Sequence, residues 1–158
     1  MSEIIKNIVV VDDDGTLEGI FTSEIFPNED TQEMTVYIRN KSLMDYAEKC
    51  ISHFNSLSDD ITDEICHGLI ESCQEDYGVN EDFELPEFEN VRDILNYCWF
   101  NTMTVDIPEN DGINYAVGGE SDWGEVVGFT IKNGVLVYVG FDYEEYLYND
   151  YENYEKYL

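Results

Sequence analysis

The segment that most constrains the fold of this 158-residue chain is residues 128–139, where two apolar runs flank Asn133 and Gly134. An Asn-Gly pair accepts the positive φ angles of a type I′ turn, whose twist matches that of the strands it joins. The segment therefore predicts a β-hairpin. With Lys132 opposite Val135, the predicted register places four large side chains on one side of the hairpin: Phe129, Ile131, Leu136 and Tyr138.

The second strand of this hairpin is apolar on both faces, because the valines at 135, 137 and 139 point away from that group. Strands that are apolar on both faces are typical of the middle of a sheet that is covered on both sides. We therefore expect residues 135–139 to form a central strand.

Hydrophobic periodicity predicts five further strands, at residues 8–11, 17–26, 34–39, 102–107 and 113–117. Apolar residues at helical spacing predict one helix over residues 42–57 and a second from Asp59 or Asp60 to residue 77. A short third helix is expected from Asn90 onwards. Residues 142–158 form an acidic tail rich in tyrosine, which predicts either an amphipathic helix on the sheet or an arm that offers tyrosines to a partner.

These elements predict an α+β fold in one domain, residues 1–158. Its sheet is expected to be mostly antiparallel, built from the N-terminal strands and the C-terminal hairpin, and packed by two or three central helices. The tyrosine-rich helix or tail ends the chain.

The charge of the chain is extreme, because 36 acidic residues against 7 basic ones give a net charge of −29. A domain of this length has a diameter of roughly 40 Å. Duplex DNA carries about 23 phosphates over that distance. The chain is therefore as densely negative as DNA itself. This charge strongly disfavours direct binding to nucleic acid or to an anionic membrane, and it favours attraction to a basic partner. The alternative is that the acidity maintains solubility or reflects a salt-rich habitat.

The acids concentrate between Lys49 and Arg92, a window without a basic residue. Like charges along one helix destabilise it, which indicates that they serve a purpose, although a solvated face is the simpler alternative. Aromatic residues interleave the last of these acids, a composition typical of a docking surface. The predicted contact residues are Asp59, Asp60, Asp63, Glu64, Glu71, Glu75, Asp76, Glu81, Asp82, Phe83, Glu84, Phe88 and Trp123.

The chain contains none of the common nucleophile, phosphate-loop or metalloprotease motifs. Residues 12–14 are three aspartates that lack the spacing of a calcium loop and predict a solvated turn, and residues 118–124 predict a bulged loop. The four cysteines are expected to be free thiols. A zinc site that combines Cys50 and His53 with Cys66 or Cys73 is a weaker alternative. We therefore expect no enzyme, no metal and no cofactor.

The start of the chain lacks a basic segment followed by an apolar one, and no stretch approaches the roughly 20 apolar residues of a membrane span. These features predict a cytoplasmic protein.

Residues 120–123, Glu-Ser-Asp-Trp, and the hairpin at 128–140 resemble the closing motif of small bacterial α+β domains of unknown function. Those domains are often encoded beside polymorphic or contact-dependent toxins, and many are regarded as immunity proteins. The resemblance implies a non-enzymatic cytoplasmic antitoxin, and the charge then indicates a basic, nuclease-type toxin as the partner. The alternative function is a DNA-mimic inhibitor of a restriction or CRISPR enzyme.

Overall fold

The computed structural model of the chain describes residues 4–26, 32–76, 81–106, 108 and 112–147. The strands are β1 (Lys6–Val10), β2 (Leu17–Thr22), β3 (Glu33–Ile38), β4 (Cys98–Val105), β5 (Tyr115–Ser121), β6 (Val127–Lys132) and β7 (Val135–Gly140). The α-helices in these residues are α1 (Met44–Asn55), α2 (Asp59–Asp76) and α3 (Tyr143–Leu147), and 3₁₀ helices span Lys41–Leu43 and Val91–Asn96.

The seven strands form one sheet in which their spatial order is their order along the chain. All neighbouring strands are antiparallel except β3 and β4, which are parallel. A parallel pair needs a long crossover connection, and α1, α2 and the second 3₁₀ helix supply it. The predicted α+β fold with a mostly antiparallel sheet is confirmed.

The hairpin predicted at the Asn-Gly pair is β6 and β7, with φ angles of 55° at Asn133 and 75° at Gly134. Its register agrees with the prediction for the first two residue pairs after the turn. Beyond them the register shifts, so that Phe129 faces Val139 and Thr130 faces Tyr138. The extra residue, Val137, is a β-bulge, and it moves Tyr138 to the side opposite the one predicted.

The prediction that residues 135–139 form a central strand is wrong, because β7 lies at an edge of the sheet. Val135 is 59% exposed and Val137 is 44% exposed. Periodicity reports how apolar a strand is, but the position of a strand in the sheet depends on pairing between distant segments.

The core lies between the sheet and α1, where phenylalanine rings from several elements meet. Phe26 contacts Phe54 of α1, Phe100 of β4 and Phe129 of β6, with ring centroids 5.0–5.9 Å apart. Phe21 of β2 meets Phe54 edge to face at 6.1 Å. Full burial of each such ring stabilises the fold by about 1.5–3 kcal/mol, so this cluster connects the N-terminal strands to the C-terminal hairpin.

The opposite side of β5 and β6 is covered by the ring of Tyr143, the first residue of α3. A Cβ atom at Gly118 or Gly128 would lie within 2.6 Å of this ring, so only glycine leaves room for it. At Gly119 a Cβ atom would lie 1.8 Å from the carbonyl oxygen of Trp99. Gly118 and Gly119 both belong to β5, which continues to Ser121. The prediction of a bulged loop from residue 118 is therefore corrected.

Several predicted boundaries shift. β2 ends at Thr22, before residue 26, and β4 begins at Cys98 and so includes Trp99 and Phe100. The predicted third helix is the 3₁₀ helix Val91–Asn96, capped by Asn90. Of the predicted tail helix only α3 is seen, since residues 148–158 lie outside the described part.

The four cysteines are buried free thiols, as predicted. Among the described residues, no helix is long and apolar enough to cross a bilayer.

Candidate protein-binding surface

Helix α2 packs its apolar side on the body of the protein and turns carboxylates to solvent. Its buried residues include Ile65, Cys66, Leu69 and Cys73. On the opposite side, four exposed acids follow one line along the helix, because their spacing keeps them within about one sixth of its circumference: Asp60, Glu64, Glu71 and Glu75. At 1.5 Å per residue this line is about 22 Å long. The helical periodicity of the sequence predicted this placement.

The first turn of α2 carries a cation that the linear sequence did not reveal. The guanidinium of Arg92, in the second 3₁₀ helix, donates to the carboxylate of Asp63 at 2.8 Å and to that of Asp59 at 3.2 Å. These hydrogen bonds raise the pKa of Arg92. Asp59 and Asp63 are therefore partly neutralised, and the negative potential of α2 is strongest from Asp60 towards Glu75.

Residues 81–89 form a second acidic strip next to the same 3₁₀ helix. The acids in it are exposed: Glu81, Asp82, Glu84, Glu87 and Glu89. Phe83 and Phe88 are half-buried and meet the ring of Tyr97 edge to face, at 6.1 Å and 5.9 Å. The aromatic residues of this segment thus anchor it, and Leu85 is the large apolar side chain that it exposes.

Trp123 is fully buried, with 0% exposure, and its ring lies 6.2 Å from that of Phe83. The prediction that Trp123 contacts a partner is therefore corrected. Its indole packs inside the protein against Phe83 of the acidic segment. Contact between an aromatic residue and a distant loop depends on the tertiary fold, and no local pattern in the sequence could reveal it. Asp76, the last of the predicted contact residues on α2, ends that helix.

A buried polar network joins α1 to the C-terminal hairpin, and the sequence did not predict it. Burial raises the pKa of Tyr115, so its hydroxyl stays protonated, and this hydroxyl is hydrogen-bonded to His53 Nδ1 at 2.9 Å. The other ring nitrogen of His53 lies next to Gly134, in the hairpin turn, and the backbone there favours the charged imidazole. Burial lowers the pKa of His53, so the imidazole is neutral and connects helix and hairpin.

The neighbouring groups of this network are protonated as well. Burial raises the pKa of Cys50 and of Tyr46 to about 12 each. The thiol of Cys50 donates to the carbonyl of Asn114, and Tyr46 accepts from the backbone N–H of Asn114 at 2.8 Å. A protonated thiol is a poor nucleophile. In the described ranges, no three His, Cys, Asp or Glu side chains are grouped to hold a metal, which argues against the zinc alternative.

A known domain profile matches residues 10–157, nearly the whole chain. The chain belongs to the DUF6985 family. DUF6985 is a domain of unknown function. No curated protein and no solved structure matches the chain significantly. The DUF6985 match includes both acidic strips, α2 and residues 81–89, whereas β1 precedes it except for Val10.

Proposed function

We propose that this DUF6985 protein is a non-enzymatic binding protein that neutralises a basic protein partner in the cytoplasm. As its partner we propose a bacterial nuclease-type toxin, which would make this chain an immunity protein. The observation that carries the proposal is the line of carboxylates on α2, within a chain of net charge −29.

The charge favours a protein partner with a basic surface. Proteins that bind nucleic acid carry basic patches, and a chain as acidic as this one attracts such patches over long distances. Complementary charge accelerates association more than it strengthens the final complex. The mechanism is occlusion: the acidic protein occupies the surface that the toxin uses to hold its nucleic-acid substrate.

The contact surface on this chain consists of the two acidic strips. The solvent face of α2 supplies the long line of carboxylates. Residues 81–89 supply a shorter acidic strip whose position is fixed by Phe83 and Phe88. Leu85 adds an exposed apolar side chain among these acids, and burial of such a side chain stabilises an interface at close range.

A second candidate function, DNA mimicry, is favoured by the straight line of the acids on α2. A DNA mimic needs carboxylates in rows that a nucleic-acid channel accepts, and α2 supplies one such row. In that case the partner is a restriction or CRISPR enzyme, and DNA competes for the same channel.

The test uses the purified chain as bait with host extract freed of nucleic acid, at about 0.1 and 1 M salt, where the Debye length is about 10 and 3 Å. Captured proteins are quantified for the wild type and for two variants with the same net charge. The α2 variant carries Asp60→Lys, Glu64→Lys, Glu71→Lys and Glu75→Lys. The matched control changes exposed acids elsewhere: Asp12→Lys, Asp13→Lys, Glu24→Lys and Glu120→Lys.

A basic protein supports the proposal if the wild type and the control retain it, the α2 variant loses it, and its nuclease activity stops at one equivalent of the wild type. A nucleic-acid-processing enzyme that free DNA displaces supports mimicry instead. Equal capture by both variants, or no specific capture, contradicts both functions and leaves the charge as a means of solubility.

A further inference from the structure

Residues 81–89, which carry the shorter acidic strip, are attached to the body of the protein mainly through aromatic side chains. Residues 83–88 belong to no helix or strand, and within the described part of the chain their backbone groups form no hydrogen bond with another residue. Hydrogen bonding resumes at Asn90, whose N–H donates to Asp93 Oδ2 at 3.1 Å and whose side chain caps the 3₁₀ helix. Segments with few hydrogen bonds to the body of a protein are the ones that open at low cost.

Two half-buried phenylalanines make the ring contacts that hold this segment. The ring of Phe83 lies 6.1 Å from that of Tyr97 and 6.2 Å from that of Trp123, and the ring of Phe88 lies 5.9 Å from that of Tyr97. The surface beneath is tied together independently of the segment, because the N–H of Asp122 donates to the carbonyl of Tyr97 at 2.8 Å. The segment can therefore leave this surface without the loss of a strand pair.

The indole of Trp123 provides a reason for the segment to open. Its ring is fully buried, and among the described residues none offers an acceptor within hydrogen-bond distance of Nε1. A buried donor without an acceptor destabilises the arrangement that buries it, because the same N–H binds water when it is exposed. Phe83 is the residue of the segment whose ring contacts this indole.

We propose that residues 81–89 act as a strap, which opens while the seven-stranded sheet stays folded and which exposes the indole N–H of Trp123 when it opens. In the closed state the ring of Phe83 covers the indole. The strap does not depend on the proposed function, but one consequence rests on that function. Because the strap carries the shorter acidic strip, its opening changes the distance between that strip and α2, and the contact surface adapts to the shape of the partner.

Opening of the strap and global unfolding differ in their effects on hydrogen exchange. Exchange of a protected N–H requires the motion that exposes it. Opening of the strap exposes little surface, so its equilibrium depends little on urea, whereas global unfolding depends strongly on urea. An N–H that the strap releases therefore exchanges faster than the core amides, and low urea leaves its rate nearly unchanged.

The experiment is hydrogen exchange followed by nuclear magnetic resonance on the full, isotope-labelled chain, at several urea concentrations below the unfolding transition. Closing must be faster than exchange, so that the rates report opening equilibria. The chain has two tryptophans, and Trp99→Phe identifies the resonance of the Trp123 indole by removing the other one. After correction for intrinsic rates, we expect this indole N–H to exchange at least about tenfold faster than the slowest backbone amides of β5 and β6.

Three variants separate the strap from the rest of the fold. Phe83→Ala removes the ring that contacts Trp123 and should accelerate exchange of the indole N–H by about tenfold. Leu85→Ala, the matched control, truncates an exposed side chain of the same strap and should leave this rate within about twofold of the wild type. Tyr146→Ala removes a ring contact outside the strap, so it should accelerate exchange of the core amides but not of the indole.

An indole N–H that exchanges no faster than the core amides, with the same dependence on urea, overturns the proposal. Equal acceleration of the indole and the amides in Tyr146→Ala also overturns it, as does an unchanged indole rate in Phe83→Ala. Should Phe83→Ala fail to fold, Phe83→Leu makes the same test with a smaller expected acceleration. Failure of the strap leaves the capture experiment unaffected, because the α2 variant changes no residue of the strap.

Discussion

The two outermost strands, β1 and β7, are both rich in valine, but the chain covers only one of them with helices. On β7, Gly68 of α2 lies against Val139, and Tyr146 of α3 stacks on Tyr138 with ring centroids 4.0 Å apart. His53 of α1 lies next to Gly134 in the turn that precedes β7. β1 has its principal contacts with β2.

The difference shows that an apolar composition predicts a strand but not what covers it. In β7 the exposed residues Val135 and Val137 alternate with partly covered ones, whereas every residue of β1 is exposed. Whether an edge strand is covered therefore depends on whether a helix packs against it. We expect the contacts of β7 with the helices to contribute more to the stability of the fold than the exposed side chains of β1 do.

The largest expected effect is at the helix-covered edge. Gly68→Ala places a Cβ atom 2.5 Å from Val139 Cβ, and relief of this overlap requires α2 to move away from β7. Overpacking costs about 1–3 kcal/mol. The better helix propensity of alanine offsets up to about 1 kcal/mol of this cost. We expect urea unfolding to show a net loss of about 1–2 kcal/mol.

The control for this substitution is Gln74→Ala, on the exposed side of the same helix, which should leave stability nearly unchanged. A gain of stability in Gly68→Ala would mean that helix propensity dominates, and would contradict the close contact between α2 and β7.

The next effect concerns the stacked rings on the other face of β7. Tyr146→Ala removes the stack on Tyr138, in which the ring planes are only 11° apart. We expect a loss of about 1 kcal/mol, since aromatic pairs contribute roughly 0.5–1.5 kcal/mol beyond their buried area. Thermal unfolding measures it. Tyr146→Phe keeps the ring and should behave as the wild type, and an equal loss in both variants would rule out stacking as the cause.

A smaller effect should appear in the dependence of stability on pH. Burial lowers the pKa of His53 in the folded protein, so between that pKa and the usual value near 6.5 the unfolded chain binds more protons. The contribution of His53 is therefore fully present above about pH 6.5 and declines as the pH falls through the folded pKa. The ring is only half-buried, so solvent screens its charge and limits the effect.

The measurement is urea unfolding of the wild type and of His53→Gln at several pH values between about 7.5 and 5. The many carboxylates affect both proteins alike, so the difference between the two curves isolates His53. This difference should shrink as the pH falls, and parallel curves would contradict the neutral, hairpin-bound imidazole.

The smallest expected effect is at β1. Val10→Lys should change the free energy of unfolding by less than about 0.5 kcal/mol, because the side chain is mostly exposed. Urea unfolding measures this change. A loss comparable to that in Gly68→Ala would show that Val10 is packed within the monomer, and would remove the contrast between the two edges.

Much of the fold could be predicted because its signals are local. The Asn-Gly turn, the helical stripes of α1 and α2, and the acidic solvent face of α2 depend on residues a few positions apart. The edge position of β7, the bulge at Val137 and the inclusion of Gly118 in β5 could not be predicted, since each depends on strand pairing or on the ring of Tyr143.

The candidate site divides in the same way. Carboxylates such as Glu64 and Glu71 are exposed where helical periodicity places them. The neutralisation of Asp63 by Arg92 and the burial of Trp123 under Phe83 join residues far apart in the chain. Local patterns report on neighbours along the chain, and these contacts arise only when the crossover brings α2, the 3₁₀ helix and the end of β5 together.

By itself, the sequence determined the kinds of elements, the mostly antiparallel sheet and the concentration of charge on α2. The tertiary structure alone decided which strands lie at the edges, which aromatic residues are buried, and where a basic residue offsets the acids. The physical reason is that turn preferences and hydrophobic periodicity depend on residues a few positions apart, and net charge depends on composition alone. Pairing order and burial depend on contacts between distant segments, which only the folded chain brings together.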